Sequence, residues 1–477
     1  MRYPLKDADL DLLEDAVRTI LQKAGMKVCN EEILSRLKAC GAAVDPGDQI
    51  ARFPERMIDE VLVMQKATQL DRYGEPERLP HGTKHGPAMG YDITPRIYDF
   101  RERRPRQATR ADLLDMIDLG DALENVGSVG CPVVMGDVDA RIEAIQGFAE
   151  VVSRTNKHPN VVSILPEHNE YFAEIGEIVL GPSETPRFIG TGGFLITPLT
   201  INDRLAGLML EGEKYGVEAA GVSTMPISGM SAPATISGTV ALAAAEVIGG
   251  WIVMHAANPH VTRFHGGSAS GILDMRTTKG LFGTAEAAMQ DVCFVNLLEE
   301  RFGGGGGVSG PGYIDSTTPG LQSVYEKLLK AHVINSCLGN PVRVNSPGLL
   351  DAGSLFSPTQ YVLDTELSEG LVRSDWEVPV DAEHVPLDDI LSVGAGESGN
   401  FLQTDHTLRH CRDSWQPELL DKTARALADG VDEETLLVDA EALWRDTLAG
   451  HEPPEVDEDR TKAVWEVVER ARAELMG

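Results

Sequence analysis

Glycine and hydroxyl-bearing residues dominate the segments that follow the short apolar runs of this chain. Four such segments stand out: TGGF at 191–194, STMPISGM at 223–230, HGGSASG at 265–271 and five successive glycines at 303–307. Glycine allows a backbone to approach a bulky ligand closely, although a flexible loop explains a glycine run equally well. The chain has no GxSxG nucleophile elbow, no phosphate-binding loop and no dinucleotide fingerprint. The segments therefore fit either close approach to a bulky ligand or flexible loops, and no acid–base centre is recognisable.

Two histidines offer a weak indication of a metal site. His406 and His410 are four residues apart on a predicted helix, with Cys411 beside them, a spacing that metal ligands can use. A solvated helix face explains the same spacing more simply. Because the chain has no HExxH and no Cys/His cluster, we expect no metal of its own.

The elements that must position the glycine-rich segments are short apolar strands that alternate with helices. We predict strands at 126–134, 160–165, 187–196, 218–224, 260–266, 303–310 and 341–346, each followed by a helix. Repeated strand–helix units with buried strands form parallel sheets. Seven or eight such units fit an α/β fold of the (β/α)8 TIM-barrel type, whose active sites lie at the carboxyl ends of the strands. The eighth strand is not evident, and GLLDAG at 348–353 is one candidate.

The predicted barrel occupies residues 109–380 and has an addition at each end. Residues 1–108 are predicted to form an N-terminal helical segment followed by a connection rich in Gly, Pro, His and Arg. Residues 381–477 are predicted to form an acidic helical extension packed on the barrel. Thr109 is a predicted N-cap, since Asp112 follows three residues later as in a capping box.

The charge of the chain excludes some classes of partner. Its 477 residues include 42 basic and 74 acidic side chains, for a formal net charge of −32. A field of that sign repels nucleic acid and anionic membrane surfaces, so we expect neither as a partner. Residues 381–477 contain 24 acidic and nine basic side chains, which is nearly half of the net charge. We therefore hypothesise that this acidic region docks a partner protein.

Neither a membrane span nor a secretory signal is predicted. The most apolar stretch, 240–257, is interrupted by Glu246 and His255 and only reaches the minimum length of a span, so we predict a buried helix. The first residues are acidic and amphipathic, unlike a secretory signal. Six scattered cysteines without a CxxC pair are typical of reduced thiols. We expect a cytoplasmic protein.

Several long blocks, in order along the chain, resemble the trimethylamine methyltransferase family of corrinoid-dependent methyltransferases. They are GAAVDPGDQIARFPERMIDEVL (41–62), GMSAPATISGTVALAAAEVIGGWIVMHAANP (229–259), FHGGSASGILDMRTTKGLFGTAEAAM (264–289), GYIDSTTPGLQSVYEKLL (312–329), FSPTQYVLDTEL (356–367) and VGAGESGNFLQTDHTLRHCR (393–412). The resemblance covers essentially the whole chain and implies a (β/α)8 barrel. It also implies transfer of a methyl group from an amine nitrogen to the Co(I) corrinoid (cobalamin) of a separate corrinoid protein.

The resemblance narrows the expected substrate. The founding members of the family contain pyrrolysine, whereas this chain has only standard residues, and members without pyrrolysine include ones that act on glycine betaine. A quaternary, or else tertiary, methylated amine such as a betaine is therefore implied. Co(I) is a strong nucleophile and the departing amine is neutral, so no acid or base is required and the catalytic residues are unknown. The enzyme would hold and orient the donor, for which aromatic faces suit a quaternary nitrogen.

Five residues are candidates for substrate binding under this resemblance. Tyr98 and Phe356 are expected in an aromatic cage, and Tyr313 is a further candidate. Asp315 could supply charge to the ammonium or cap the next helix, and His265, ending a strand, could orient a substrate carboxylate. For each aromatic residue, and for His265, ordinary packing is the alternative.

Other residues receive weaker assignments. The glycine-rich strand ends would suit the approach of the corrinoid protein, and the candidates there are Gly304, Gly305 and Gly306. An arginine near the barrel strands could hold a carboxylate, but the phase of each strand is unknown. Asp274 and Arg276 lie in a family block, although a structural ion pair explains them as well.

Two other functions stay open. One is a non-catalytic protein that binds a methylated amine, and the other is a metal-assisted TIM-barrel lyase or hydrolase. Tightly bound zinc or magnesium would favour the lyase or hydrolase. The sequence, however, lacks the ligand clusters expected of such an enzyme. The chain is also a possible homo-oligomer.

Overall fold

The computed structural model describes residues 4–69, 88–90, 94–339, 343–394, 399–420 and 432–477, which form a mixed α/β fold. The helices are α1 Asp7–Lys23, α2 Glu31–Ala39, α3 Glu55–Gln69, α4 Arg110–Ala122, α5 Glu143–Arg154, α6 Asn169–Leu180, α7 Asp203–Lys214, α8 Ile236–Ala257, α9 Ala285–Arg301, α10 Leu321–Leu338, α11 Pro358–Val372, α12 Leu387–Val393, α13 Asp405–His410, α14 Glu433–Ala449 and α15 Glu458–Met476. The strands are β1 Met26–Val28, β2 Ala43–Asp45, β3 Ile50–Arg52, β4 Ala88–Met89, β5 Arg96–Asp99, β6 Arg104–Gln107, β7 Ser128–Gly130, β8 His158–Asn160, β9 Gly193–Phe194, β10 Thr200–Ile201, β11 Ala219–Thr224, β12 Ile227–Ser228, β13 Arg263–Ser268, β14 Gly271–Asp274, β15 Lys279–Leu281, β16 Gly306–Val308, β17 Leu349–Leu350 and β18 Leu355–Phe356.

Parallel strands joined by helices organise the middle of the chain. They form two sets, β4–β7–β8 and β9–β11–β13–β16, and every pairing within each set is parallel. The longest pairing joins β11 to β13 over six residues each. The predicted alternation of strand and helix is confirmed for six of the seven predicted strands, although most of these are shorter than predicted and β8 overlaps the predicted strand 160–165 only at Asn160.

The segment 348–353, one candidate for the eighth parallel strand, does not form a parallel strand. Leu349 and Leu350 form β17, which pairs antiparallel with β18 in a short hairpin and joins neither parallel set. A parallel strand that was not predicted is β4, which precedes α4 and pairs with β7. Strand β4 has only two residues and its neighbours in sequence are polar, so it shows too little apolar periodicity to be recognised as a strand. Of the segment predicted as the strand 341–346, residues 343–346 are described and form no strand.

A small sheet connects the beginning of the parallel region with its end. Strands β5 and β6 form a hairpin after β4, and β5 also pairs in parallel with β18, which directly precedes α11. Tyr98 of β5 and Phe356 of β18 lie in one buried apolar cluster.

The N-terminal helices cover α8. Helices α1, α2 and α3 pack on α8, whose side chains form the centre of the largest core cluster. By length and composition α8 could cross a membrane, but most of it is buried inside the protein. The buried helix predicted over this stretch is confirmed.

The last two helices pack on the outside of the parallel region. Helix α14 packs against α4 and α11 through Leu437, Ala440 and Trp444, and α15 packs against α5 and α6. The predicted cap at Thr109 is confirmed, because Thr109 and Asp112 make both hydrogen bonds of a capping box at the start of α4.

Candidate functional site

Helices α8 and α9 pack on one face of the sheet β9–β11–β13–β16. A Cβ atom on Gly266 would overlap Val247 of α8, and one on Gly306 would lie 3.1 Å from Leu298 of α9, so these positions face the helices. Because side chains alternate along a strand, the positions between them face the opposite way. We call this opposite side the open face; it carries Phe194, Gly221, Ser223, His265, Gly267, Gly307 and Ser309.

Small residues line most of the open face. Ser223 and Ser309 are hydrogen-bonded at 2.7 Å between their hydroxyl oxygens. A Cβ on Gly267 would overlap the Ser309 hydroxyl, so glycine is required for this pair to meet. Buried faces of parallel sheets are usually filled with bulky residues such as Val, Ile and Leu. Glycine and serine leave space here instead.

Two large side chains stand on the open face. Phe194 pairs in register with Ser223, and its side chain is 38% exposed. His265 pairs with Gly221, where a Cβ would overlap the imidazole ring. His265 is exposed, but it is the third residue of β13 and not the strand end that the sequence analysis predicted.

Further apolar side chains are exposed on the segments that follow β8 and β9. Val162 and Ile164, which follow β8, and Ile196, which follows β9, are all exposed. Ser163, between the first two, is buried and its backbone N–H donates to Phe188, so the alternation puts Val162 and Ile164 on the other side. The surface thus combines exposed hydrocarbon with hydroxyl and imidazole groups.

Buried polar side chains on the helices hold the loops at the carboxyl ends of these strands. Glu246 of α8 accepts hydrogen bonds from the Leu199 N–H at 2.7 Å, from the Thr197 hydroxyl at 3.1 Å and from the Thr224 hydroxyl. Burial raises the pKa of Glu246, and these donors oppose that rise. The Glu246 carboxylate thus holds the segment 197–199 and the end of β11 together.

Asp315 joins two of these loops. Its carboxylate accepts hydrogen bonds from the backbone N–H groups of Phe282 at 2.7 Å and Gly283 at 2.9 Å. Its own N–H donates to Glu326 at 2.7 Å. The carboxylate is therefore engaged by backbone donors of a neighbouring loop and does not cap the next helix, one of the two roles predicted for it. Neither contact was evident from the sequence.

A buried lysine and a buried aspartate fix the same region from α9 and α10. Lys330 donates to the carbonyls of Gly310 at 2.7 Å and Tyr313 at 3.1 Å, and burial lowers its pKa. Asp291 accepts from the Ser270 N–H at 2.8 Å, and burial raises its pKa to about 6. Both groups stabilise loops and do not reach the open face.

An ion pair supports the loop before α11. Lys327 and Asp364 form a fully buried ion pair, and Asp364 also accepts from the Gly348 N–H at 2.8 Å. Together with the preceding contacts, this pair fixes the carboxyl-end loops before any ligand binds.

The three predicted cage aromatics are packed in the interior. Tyr98 is 7% and Phe356 2% exposed, and the Phe356 ring lies 6.0 Å from that of Tyr361. Tyr313 meets Phe282 edge to face, with ring centroids 6.0 Å apart. Their packing matches the alternative given for each, and their place in a cage stays a prediction.

The glycine run lies at the end of its strand opposite to the predicted one. Gly304 and Gly305 precede β16 and Gly306 is its first residue, so all three lie at the amino end and not at the carboxyl-end loops. Gly304 and Gly305 have φ values of 85° and 81°, which favour glycine. Gln65 of α3 donates to the Gly304 carbonyl at 3.3 Å. The run was misplaced because the sequence did not show where β16 begins.

The remaining candidates have structural contacts. Arg276 and Asp274 form an exposed ion pair at 3.0 Å, whose hydrogen bonds hold the pKa of Asp274 at about 2. His406 and His410 lie on α13, with ring centroids 4.5 Å apart. Within the described ranges, no group of three or more His, Cys, Asp or Glu residues is arranged to hold a metal ion.

Phe194 is the residue that sequence reasoning missed. It ends the TGGF segment, whose glycines attracted attention, but only the pairing with Ser223 shows which face the ring occupies. Once β11 is placed, alternation along β9 identifies the ring as the large aromatic group on the open face.

Comparisons with known proteins point to one family. The sequence model of the trimethylamine methyltransferases matches residues 2–476. The chain is 23% identical over 478 residues to the trimethylamine methyltransferase MttB of Desulfitobacterium hafniense, covering 98% of this chain and 94% of that protein. It is 23% identical over 483 residues to MttB of Methanosarcina barkeri, covering 98% and 95%. A glycine betaine methyltransferase of D. hafniense is 28% identical over 371 residues, covering 76% of this chain and 75% of that protein.

Proposed function

Because the chain belongs to the trimethylamine methyltransferase family, we propose that it transfers a methyl group from a methylated amine to the Co(I) corrinoid of a separate corrinoid protein. The family match over residues 2–476 carries this proposal. The relatives are named for trimethylamine and for glycine betaine, which share an N-methyl nitrogen. The absence of pyrrolysine from the sequence favours a quaternary amine such as a betaine.

The strands close into a (β/α)8 barrel in this proposal. The sets β4–β7–β8 and β9–β11–β13–β16 contain seven strands that are parallel within each set, and along the chain at least one helix separates each of them from the next. The pairing of β5 with β18 supports closure, because it brings the segment after β4 beside the segment before α11. In a closed barrel the open face lies inside, below the carboxyl-end loops.

The open face suits a methylated ammonium group. The Phe194 ring offers a π-face to the cation, and Val162, Ile164 and Ile196 offer hydrocarbon to its methyl groups. A carboxylate at the other end of the donor would accept hydrogen bonds from Ser223 and from His265. Space beside Gly267 and Gly307 leaves room for the donor.

Methyl transfer requires orientation more than proton transfer. The carbon–nitrogen bond breaks with its electron pair staying on nitrogen, which leaves as a neutral amine, while the carbon bonds to cobalt. No proton moves when the donor is quaternary, so the lack of an acid–base pair on the open face is consistent with the reaction. The role of this chain is to align the N–CH3 bond toward the mouth of the barrel.

The proposal is tested by mixing the purified protein with a Co(I) corrinoid protein and a panel of quaternary and tertiary amines. The expected result is conversion of the Co(I) spectrum to that of methyl-Co(III), with stoichiometric demethylated amine. Tight binding of an amine with no conversion would instead support the binding-protein alternative. Activity that depends on tightly bound zinc or magnesium would support the lyase or hydrolase.

A further inference from the structure

Glu246 differs from the other buried carboxylates in having no cation beside it. Seven aspartate and glutamate side chains are buried among the described residues: Asp112, Glu150, Glu246, Asp291, Glu326, Asp364 and Glu441. Four of these form ion pairs with an arginine or a lysine, and two more interact electrostatically with Lys330. Glu246 is the remaining one: within the described part of the chain, neutral groups alone contact its carboxylate and influence its pKa.

A carboxylate in this position is stabilised by any positive charge that comes near it. Glu246 is 0% exposed, and its donors are the Leu199 N–H and the hydroxyls of Thr197 and Thr224. Glutamate is rarely buried without a charged partner, because taking a carboxylate out of water is costly even when it is hydrogen-bonded. Burial raises the pKa of Glu246 and the three donors oppose that rise. A cation held nearby would lower the pKa further and so favour the ionised form.

The carboxylate lies behind the part of the sheet that carries Phe194. Thr224, which donates to Glu246, follows Ser223 in β11, and Ser223 pairs in register with Phe194. Alternation along β11 puts Ser223 on the open face and Thr224 on the helix side. A cation against the Phe194 ring would therefore lie on the order of 10–12 Å from the carboxylate, across the sheet. Thr224, between the two, is fully buried, so water does not screen the interaction there.

We propose that Glu246 is a specificity-determining residue, which supplies the negative charge for the ammonium group of the methyl donor from behind the sheet and without touching it. The inference rests on the proposed function, since it takes the donor to bind on the open face. Glu246 then favours a methylated ammonium over a neutral group of the same shape. The donor in turn is the cation that this buried carboxylate lacks in the free protein.

Selection by charge is also selection of the reactive donor. A positively charged nitrogen leaves as a neutral amine when its bond to the methyl carbon breaks, whereas a neutral amine would have to leave as an anion. The interaction with Glu246 is made by the charged donor and is lost when the nitrogen becomes neutral. Glu246 therefore acts on binding of the donor and takes no proton in the transfer.

The size of the effect follows from Coulomb's law. For unit charges about 10–12 Å apart and an effective dielectric constant of about 20, the attraction changes a dissociation constant roughly tenfold to fifteenfold. Glu246→Gln removes the charge and keeps the shape, and the amide oxygen still accepts a hydrogen bond from the Leu199 N–H. The variant should therefore lose this attraction while the segment 197–199 stays in place.

The test is calorimetric titration of the full chain with glycine betaine and with tert-butylacetate, which has carbon in place of the quaternary nitrogen. Both ligands carry a carboxylate, so the ratio of their dissociation constants isolates the positive charge. In Glu246→Gln this ratio should shift roughly tenfold against the betaine. Glu441→Gln is the matched control, because Glu441 is also buried and accepts from the Thr359 hydroxyl but has Arg445 as its cation. There the ratio should stay within about twofold of that of the natural chain.

An unchanged ratio in Glu246→Gln would overturn the inference, because displacement of the segment 197–199 alone weakens both ligands equally. An equal shift in Glu441→Gln would overturn it as well. If neither ligand binds the natural chain, the proposed donor site fails and this inference fails with it. Circular dichroism checks that Glu246→Gln is folded; if it is not, Glu246→Met, of similar size and without charge, provides the same comparison. No corrinoid is present, so the result does not depend on methyl transfer.

Discussion

Replacement of Phe194 by leucine tests whether the open face recognises a cation or merely hydrocarbon. Leucine retains an apolar side chain at this position but removes the π-face, so the two contributions to binding separate. The matched control is Phe401→Leu, because Phe401 is 44% exposed, close to the 38% of Phe194, and lies between α12 and α13.

The size of the effect follows from the exposure of the ring. A cation over an aromatic face contributes about 0.5–1 kcal/mol at an exposed site and about 2 kcal/mol when desolvated. Because Phe194 is 38% exposed, an intermediate value of about 1–1.5 kcal/mol is expected. The dissociation constant of a quaternary amine should therefore rise by about fivefold to tenfold.

The assay is calorimetric titration with glycine betaine and with tert-butylacetate, in which carbon replaces the quaternary nitrogen. Phe194→Leu should weaken binding of the betaine and leave tert-butylacetate within about twofold, while Phe401→Leu changes neither. Equal weakening of both ligands would refute a cation–π contact, and no change for either would remove Phe194 from the site.

Three further predictions concern stability and space. Lys327→Met leaves the buried Asp364 carboxylate without its cation and should lower the free energy of unfolding in urea by about 3–5 kcal/mol; a loss under 1 kcal/mol would contradict this. Asp291 has a pKa of about 6, above its value of 3.8 in an unfolded chain, so folding favours its protonated form and stability falls as pH rises between these values. Asp291→Asn removes this loss of stability. The free energy of unfolding of the variant, taken relative to that of the natural chain, should therefore increase by about 3 kcal/mol from pH 3 to pH 7. Parallel pH profiles for the two proteins would contradict the raised pKa of Asp291. Gly267→Ala inserts a methyl group where the Ser223–Ser309 hydrogen bond forms and should weaken betaine binding at least about tenfold, whereas Gly127→Ala, with nothing within 4 Å, should not.

Local signals were readable from the sequence. The N-cap at Thr109 needs only a residue three positions away, and α8 is recognised from a continuous apolar composition. The order of strands and helices also follows from local patterns. Strand β4 was missed because it has two residues, and its pairing with β7 depends on residues 40 positions further along the chain.

The placement of the residues in the candidate site depends on contacts between segments that are far apart in the sequence. Neither the side of β9 that Phe194 occupies nor the engagement of Asp315 by Phe282 and Gly283 follows from spacing. The glycines from Gly304 were assigned to the wrong end of β16, since composition identifies a glycine run but not its position relative to a strand. Val380 and Leu402 are exposed, although their apolar side chains would be assigned to the core from a pattern alone.

The covering of α8 by the N-terminal helices has a consequence for biosynthesis. A segment with the length and hydropathy of α8 is unfavourably exposed to water until other helices cover it. Translation proceeds from the amino terminus, so α1, α2 and α3 have left the ribosome before α8 is made. Their packing surface therefore exists when α8 emerges, and a chain that lacks these helices would expose α8 to chaperones and membrane-targeting factors during synthesis.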